Sequence, residues 1–209
     1  GWLWRIMGKK VYMWRNHHAG NIMTDIASIF CNKIFCTSKF SYTAKYKKTV
    51  LMPVGIDTKL FKENPAIKRI PNSILFLGRI APAKNIHIFI EALGILKNKI
   101  PNFIVNIYGD ATKNHESYLN KLKSRVNELD LKDLVFFHKG IENHNTPEIY
   151  SKHQIFVNLS SSGMYDKTIF EAMACRSIVL ASNENLRGNI DDRMIIKNRE
   201  KDEVSEKIY

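Results

Sequence analysis

Residues 155–176 read IFVNLSSSGMYDKTIFEAMACR: an apolar run, a polar turn and a helical pattern in immediate succession. The run 155–159 is short and nearly continuous in apolar character, as a strand buried on both faces would be. After the turn, Ile169, Phe170, Met173 and Ala174 fall at helical spacing and supply an apolar face, while Lys167, Thr168 and Glu171, three and four apart, can share another. A strand that turns directly into a helix points unpaired N–H groups and the positive end of the helix dipole at the turn, which favours a phosphate-bearing ligand. Lys167 stands against that dipole, and Lys four residues before Glu171 is the weaker orientation for a helix pair, so something anionic nearby would relieve the conflict. The same letters also fit a plain helix start, with residues 168–171 as a capping box.

The alternation extends outward from this stretch. From residue 73 onward, β-rich runs at 73–77, 103–108, 134–138, 155–159, 178–181 and 194–196 interleave with helical patterns at 85–98, 115–129, 147–151, after Asp166 and from Glu200. Such β-α-β-α order with apolar strands predicts an α/β fold, and right-handed crossovers make it a Rossmann-like, doubly wound parallel sheet covered on both faces. Residues 1–53 break the rhythm; a helix at 21–30 and strands at 33–36 and 49–52 read as the end of a second Rossmann-like domain. Residues 54–72, charged and proline-bearing, read as the linker. Residues 73–209 are then the ligand-binding domain, expected to be truncated at its C-terminus, inside the helix that starts near Glu200.

With 209 residues, of which 44% are hydrophobic, the chain can bury one substantial core or one core and part of another. No apolar run approaches the roughly 18 residues of a membrane span, and the opening Gly1-Trp2-Leu3-Trp4 is broken by Arg5, Lys9 and Lys10, unlike a signal peptide. The expected location is the cytoplasm, with peripheral contact at the inner face of an anionic membrane left open. Trp2, Trp4 and Trp14, interleaved with basic residues, could seat an interfacial helix; core packing in an absent or partial domain is the preferred reading. Cys31, Cys36 and Cys175 are odd in number and lack C-x-x-C spacing, which excludes a disulfide framework and a zinc signature. His17 and His18, adjacent and so pointing to different sides of a helix, predict no metal site.

The formal charge of +12 favours an anionic partner: a phosphorylated substrate, acidic lipid or nucleic acid. The lysines are scattered, so a solvated basic surface explains the charge equally well. No nucleic acid partner is expected, because no basic element with stacking aromatics is present.

A second strand-to-helix turn carries cations. Leu77 ends a strand, Gly78 permits close backbone approach, Arg79 follows, and Lys84 precedes the helix that begins at Asn85. In an open parallel sheet the carboxyl ends of the strands form the ligand crevice, so the turns after Leu77, Tyr108, His138 and Leu159 should face one region and Arg79, Lys84, Lys167 and Glu171 could converge. Two basic side chains with helix amides suit a diphosphate, and a carboxylate can accept two sugar hydroxyls, which describes a nucleotide-sugar site.

At these residues the chain resembles the donor half of the family 4 glycosyltransferases, retaining enzymes of the GT-B architecture. The resemblance runs from about Ala27 to Gly188. It is carried by Ser38, Gly55-Ile56-Asp57 with Phe61, Gly78-Arg79 with Lys84, Tyr108-Gly109-Asp110, Val135-Phe136 with Gly140, and Glu171-Ala172-Met173-Ala174. It implies that a nucleotide-sugar lies between two Rossmann-like domains, with the C-terminal one holding the nucleotide. Arg79 and Lys84 match the diphosphate-binding pair, and Glu171 matches the second glutamate of the E-x7-E motif, which holds the ribose. These three are the expected catalytic set. Gly78, Gly109, Lys139, Gly163, Met164, Asp166, Lys167 and Thr168 are the expected nucleotide-sugar contacts.

The resemblance further implies transfer to a carbohydrate or lipid-linked acceptor without a metal and without a cofactor, the nucleotide-diphosphate sugar being a co-substrate. Gly163 stands where the first motif glutamate would fall. Gly163, Asp166 and Lys167 instead resemble a subgroup with the pattern G-x-x-D-K, in which the glycine backbone can meet the sugar; Asp166 as a plain helix N-cap is the alternative. Because little of the acceptor half is present, a non-catalytic nucleotide-sugar-binding module or inactive fragment is the rival reading.

Overall fold

In the computed structural model, which describes residues 1–100, 102–160 and 165–209, the chain divides into two compact units, the first built on Gly1–Gly55 and the second on residues 56–160 and 166–209. The first unit runs α1 (Trp2–Ile6), β1 (Tyr12–Trp14), α2 (Ile22–Ile29), β2 (Lys33–Cys36) and β3 (Thr49–Leu51), its strands forming a parallel sheet in the order β1-β2-β3. Asn21 starts α2 because its side-chain oxygen accepts from Thr24 N at 3.1 Å while Thr24 Oγ1 accepts from Asn21 N at 3.4 Å. Asp25, one turn in, accepts from Tyr42 Oη at 2.9 Å, from Tyr46 Oη and from Lys45, which ties α2 to the turn before β3.

Trp2, Trp4 and Trp14 are 52%, 57% and 61% exposed, since α1 buries no residue and β1 alternates exposed and half-buried positions. One expectation for this unit needs correction. His17 and His18 lie outside any helix, and their rings stack with centroids 4.6 Å apart instead of diverging.

The second unit follows the β-α alternation: β4 (Ser73–Leu77), α3 (Ile86–Leu96), β5 (Ile104–Tyr108), α4 (Glu116–Glu128), β6 (Val135–His138), α5 (Thr146–Lys152), β7 (Ile155–Asn158), α6 (Lys167–Ala174), β8 (Ile178–Ala181) and α7 (Lys201–Ile208). All pairings are parallel and the spatial order is β6-β5-β4-β7-β8. Counted from its own first strand this is the order 3-2-1-4-5, in which the chain builds outward on one side of β4 and then crosses to the other, leaving a switch point between β4 and β7.

Period-two burial covers both faces. Ile74, Phe76, Val105, Ile107, Val157 and Leu180 join one core cluster with α3, α4 and α7, where Ile86, Phe89, Ile90, Leu93 and Leu96 of α3 are fully buried at helical spacing. Leu75, Phe156, Val179 and Ala181, of opposite parity, are buried too, with the Tyr150 ring of α5 standing edge-on to Phe156 at 5.5 Å. Each Val, Leu, Ile or Phe side chain among them, fully removed from water, contributes about 1.5–3 kcal/mol before entropy is counted.

The run 194–196 is not a strand. Asp191 accepts from Arg193 N at 2.9 Å and caps a 3-10 turn at Asp192–Met194, so only an isolated parallel bridge between Ala181 and Ile195 forms. The segment 56–72, read as a linker, is fastened to the second unit: Phe61 is buried, and Arg69 donates to His153 O at 2.7 Å and Cys175 O at 2.8 Å. Those carbonyls belong to the C-caps of α5 and α6, where a cation meets the negative ends of two helix dipoles. Among the described residues no helix is long and apolar enough to cross a membrane.

Candidate active site

The switch point gathers a polar network from the turns after β4 and β7. Lys84, last residue of a 3-10 turn at Pro82–Lys84, places Nζ 2.6 Å from Asp166 Oδ2 and 2.9 Å from Ser160 Oγ. Asn85 adopts the left-handed conformation (φ 53°), and its amide donates to Leu159 O at 2.8 Å, which pins the start of α3 to the end of β7. Asn158 Nδ2 donates to Asp166 Oδ2 at 3.1 Å and to Thr168 Oγ1 at 3.2 Å, and Thr168 Oγ1 donates to Asp166 Oδ1 at 2.9 Å. The Lys84 and Asp166 side chains are only 23% and 20% exposed, so their attraction is weakly screened. Burial alone would raise the Asp166 carboxyl; the Lys84 charge and the hydrogen bonds from Lys84, Asn158 and Thr168 outweigh it and hold the group below the ordinary carboxylate value.

Asp166 is also the N-cap of α6, accepting from Thr168 N at 3.3 Å, so the helix starts two residues before the capping box expected at residues 168–171. Asp166 thus offsets the Lys84 charge at this helix start. The shared face expected for Lys167, Thr168 and Glu171 divides: Lys167 is exposed, Thr168 is half-buried in the network, and Glu171 is 5% exposed. Glu171 Oε1 accepts from Asn143 Nδ2 at 3.2 Å and Oε2 from Tyr150 Oη at 3.1 Å. Five residues separate Asp166 from Glu171, about 7.5 Å along the helix axis.

The neighbouring turns are tight. Gly78 has φ 155° and donates to Tyr108 O at 3.0 Å. A Cβ at Gly109 would lie 1.9 Å from Gly78 O, which excludes any side chain there, and Gly140 N donates to Asp110 Oδ1 at 3.1 Å. Arg79 and Lys139 are exposed, and no side chain among the described residues pairs with either. Gly163 and Met164 lie outside the described residues.

Beneath this edge, Asn106 joins two histidines: Oδ1 is 2.7 Å from His138 Nε2 and Nδ2 is 2.9 Å from His153 Nε2, while His153 Nδ1 is 2.7 Å from Ile149 O. The bonding pattern requires His153 to carry its proton on Nδ1 and His138 to donate from Nε2. Tyr108 stacks on His138 at 4.3 Å. Burial lowers both histidine pKa values. Among the described residues no cluster of three His, Cys, Asp or Glu could hold a metal ion.

Sequence reading overlooked Asn158, Ser160, Asn143 and Tyr150. Asn158 alone carried a signal, as the polar residue inside an apolar strand.

A sheet in this order with its polar residues at the switch point accords with the family comparison, in which residues 57–208 match the model described as Glycosyl transferases group 1. The chain belongs to this family. Mannosylfructose-phosphate synthase of Agrobacterium fabrum is 28% identical over 145 residues, 64% of this chain and 32% of the relative. Alpha-monoglucosyldiacylglycerol synthase of Streptococcus pneumoniae is 27% identical over 186 residues, 81% of this chain and 41% of the relative. The chain thus spans about a third to two fifths of the length of these group 1 relatives. The fold is that of the Anabaena protein Alr3699/HepE crystallised with UDP and glucose, with a TM-score of 0.82 at 18% identity over 98% of this chain and 62% of that one.

Proposed function

We propose that this chain is the donor-binding part of a retaining glycosyltransferase that moves a sugar from a nucleotide diphosphate to a carbohydrate or lipid-linked acceptor. The observation that carries the reading is the Lys84–Asp166 pair at the β4–β7 switch point, where open parallel sheets receive phosphorylated ligands. An ammonium group has three donors; among the described residues Ser160 and Asp166 engage two, which leaves the third for a phosphate oxygen. Arg79, exposed beside Gly78, adds a planar fork suited to the same group. Together they offset charge developing on the departing diphosphate during front-face departure and attack. Glu171, further along α6, takes ribose hydroxyls, and Asp166, Lys167 and Thr168 with Gly78, Gly109 and Lys139 line the remainder of the donor. The UDP and glucose bound to the Anabaena protein, and the glucosyldiacylglycerol named in the pneumococcal relative, support a nucleotide-sugar donor and a lipid-linked acceptor.

The test is sugar transfer by the full-length polypeptide that contains this segment. Arg79→Ala or Lys84→Ala should lower kcat by about 10²–10³, and Glu171→Gln should raise the donor KM. Unchanged kinetics in all three would refute the assignment. A nucleotide-sugar binder without transfer is favoured by one observation, Gly163 in place of the motif's first glutamate; nucleotide binding with no turnover in that same polypeptide would establish it.

A further inference from the structure

Glu171 is a nearly buried carboxyl group held, among the described residues, by two neutral donors and no cation. Asn143 Nδ2 reaches Oε1 at 3.2 Å and Tyr150 Oη reaches Oε2 at 3.1 Å, one donor to each oxygen. Tyr150 is fully buried, with its ring fixed between Phe156 at 5.5 Å and Phe61 at 6.3 Å, so its hydroxyl has little freedom to point elsewhere. Burial, reinforced by the negative charge of Glu171, pushes the Tyr150 hydroxyl up in pKa, so it remains a protonated donor across the working pH range. Asn143 is exposed, so the carboxylate bridges from the core to the surface.

A carboxylate has about four acceptor positions, two on each oxygen. With one position on each oxygen occupied by a described residue, one on each is left to a ligand. That is the pattern that two vicinal hydroxyls require, and a carboxylate free to rotate would offer it only part of the time. A cation in place of the two neutral donors would bind the carboxylate more strongly and compete with the hydroxyls.

We propose that Tyr150 and Asn143 are positioning residues that fix the plane of the Glu171 carboxylate so that it selects a ribonucleotide over a deoxyribonucleotide. This rests on the reading of Glu171 as the ribose contact and adds how the chain discriminates. The removal of a hydroxyl from the ligand leaves one acceptor position of a buried carboxylate unpaired, a large cost when the carboxylate cannot turn and a small one when it can.

The experiment is calorimetric titration of the 209-residue chain with UDP, GDP and ADP, followed by the 2′-deoxy form of whichever binds best. For wild type the ribonucleotide should bind on the order of tenfold more tightly than its deoxy form. In Tyr150→Phe and in Asn143→Ala that ratio should fall to about threefold or less, chiefly through weaker binding of the ribonucleotide. Phe61→Leu, which loosens the Tyr150 ring while leaving its hydroxyl present, should lower the ratio part-way, to between wild type and Tyr150→Phe. A loss of affinity that is equal for both nucleotides in Tyr150→Phe and Asn143→Ala, or a ratio that is retained in both, overturns the proposal while the ribose contact stands. Should Tyr150→Phe fail to fold, Asn143→Ala, at an exposed position, decides by itself. No discrimination in wild type would overturn the ribose reading of Glu171 and the proposal with it.

Discussion

Lys84 Nζ and Asp166 Oδ2 lie 2.6 Å apart although 82 residues separate them in sequence, and their contact joins the turn after β4 to the turn after β7. One ion pair thus links the two strands that flank the switch point, and it sets both the local charge and the start of α6.

Asp166→Asn keeps a capping side chain but removes the charge, and should lower the unfolding free energy by about 1–2 kcal/mol, between the values of exposed and buried pairs. The pH dependence follows from the sign of the shift. The folded-state pKa of Asp166 is depressed, so the unfolded chain takes up protons first as pH falls, and the stability present above the ordinary value of 3.8 is lost as pH drops through the lower folded value. Thermal melts from pH 6 down to pH 3 should show a steeper fall for wild type than for Asp166→Asn.

The buried chain His138–Asn106–His153 gives a second pH response at milder acidity. Both histidines have folded pKa values below 6.5, so protons bind preferentially to the unfolded chain and stability declines as pH falls through that value. Replacing His153 by Gln should flatten the loss in melting temperature between pH 7.5 and pH 5.5, and an unchanged slope would show that His153 does not titrate on unfolding.

Arg69 holds the C-caps of the helices that carry Tyr150 and Glu171. Arg69→Ala should cost about 2–3 kcal/mol in denaturant unfolding, as two charged hydrogen bonds are lost. Arg69→Lys should recover only part of this, since a point charge cannot span two carbonyls as a planar fork does.

Gly109 is fixed by backbone contact. An alanine methyl would meet Gly78 O at 1.9 Å, so Gly109→Ala must push apart the turns after β4 and β5 and should destabilise by about 2–4 kcal/mol, read from the shift of the urea midpoint. Gly55→Ala, where nothing lies within 4 Å, is the matched control and should change stability by less than about 0.5 kcal/mol.

The strands of the second unit were legible because each is a short apolar run between helical patterns, and burial on both faces makes that pattern strong. Strand order was not, since it depends on which crossover turns back, and no residue encodes that alone. The cations Arg79 and Lys84 and the acid Glu171 stood out by chemistry and position. Their partners did not: Asn158, Tyr150 and Asn143 lie 8, 21 and 28 residues from the carboxylates they serve, and ordinary polar residues acquire a role only when the sheet brings them together. Residues 194–196 failed for a local reason, as the side chain of Asp191 captured the backbone that a strand would have used.

Donor binding here requires that the β4 and β7 turns grip a diphosphate. Calorimetric titration of the 209-residue chain with a nucleoside diphosphate and the matching monophosphate, in wild type, Arg79→Ala and Lys84→Ala, tests it most directly. Each substitution should weaken diphosphate binding by about tenfold or more, the loss of a charged hydrogen bond, and change monophosphate binding far less. Equal diphosphate affinity in all three proteins would contradict it.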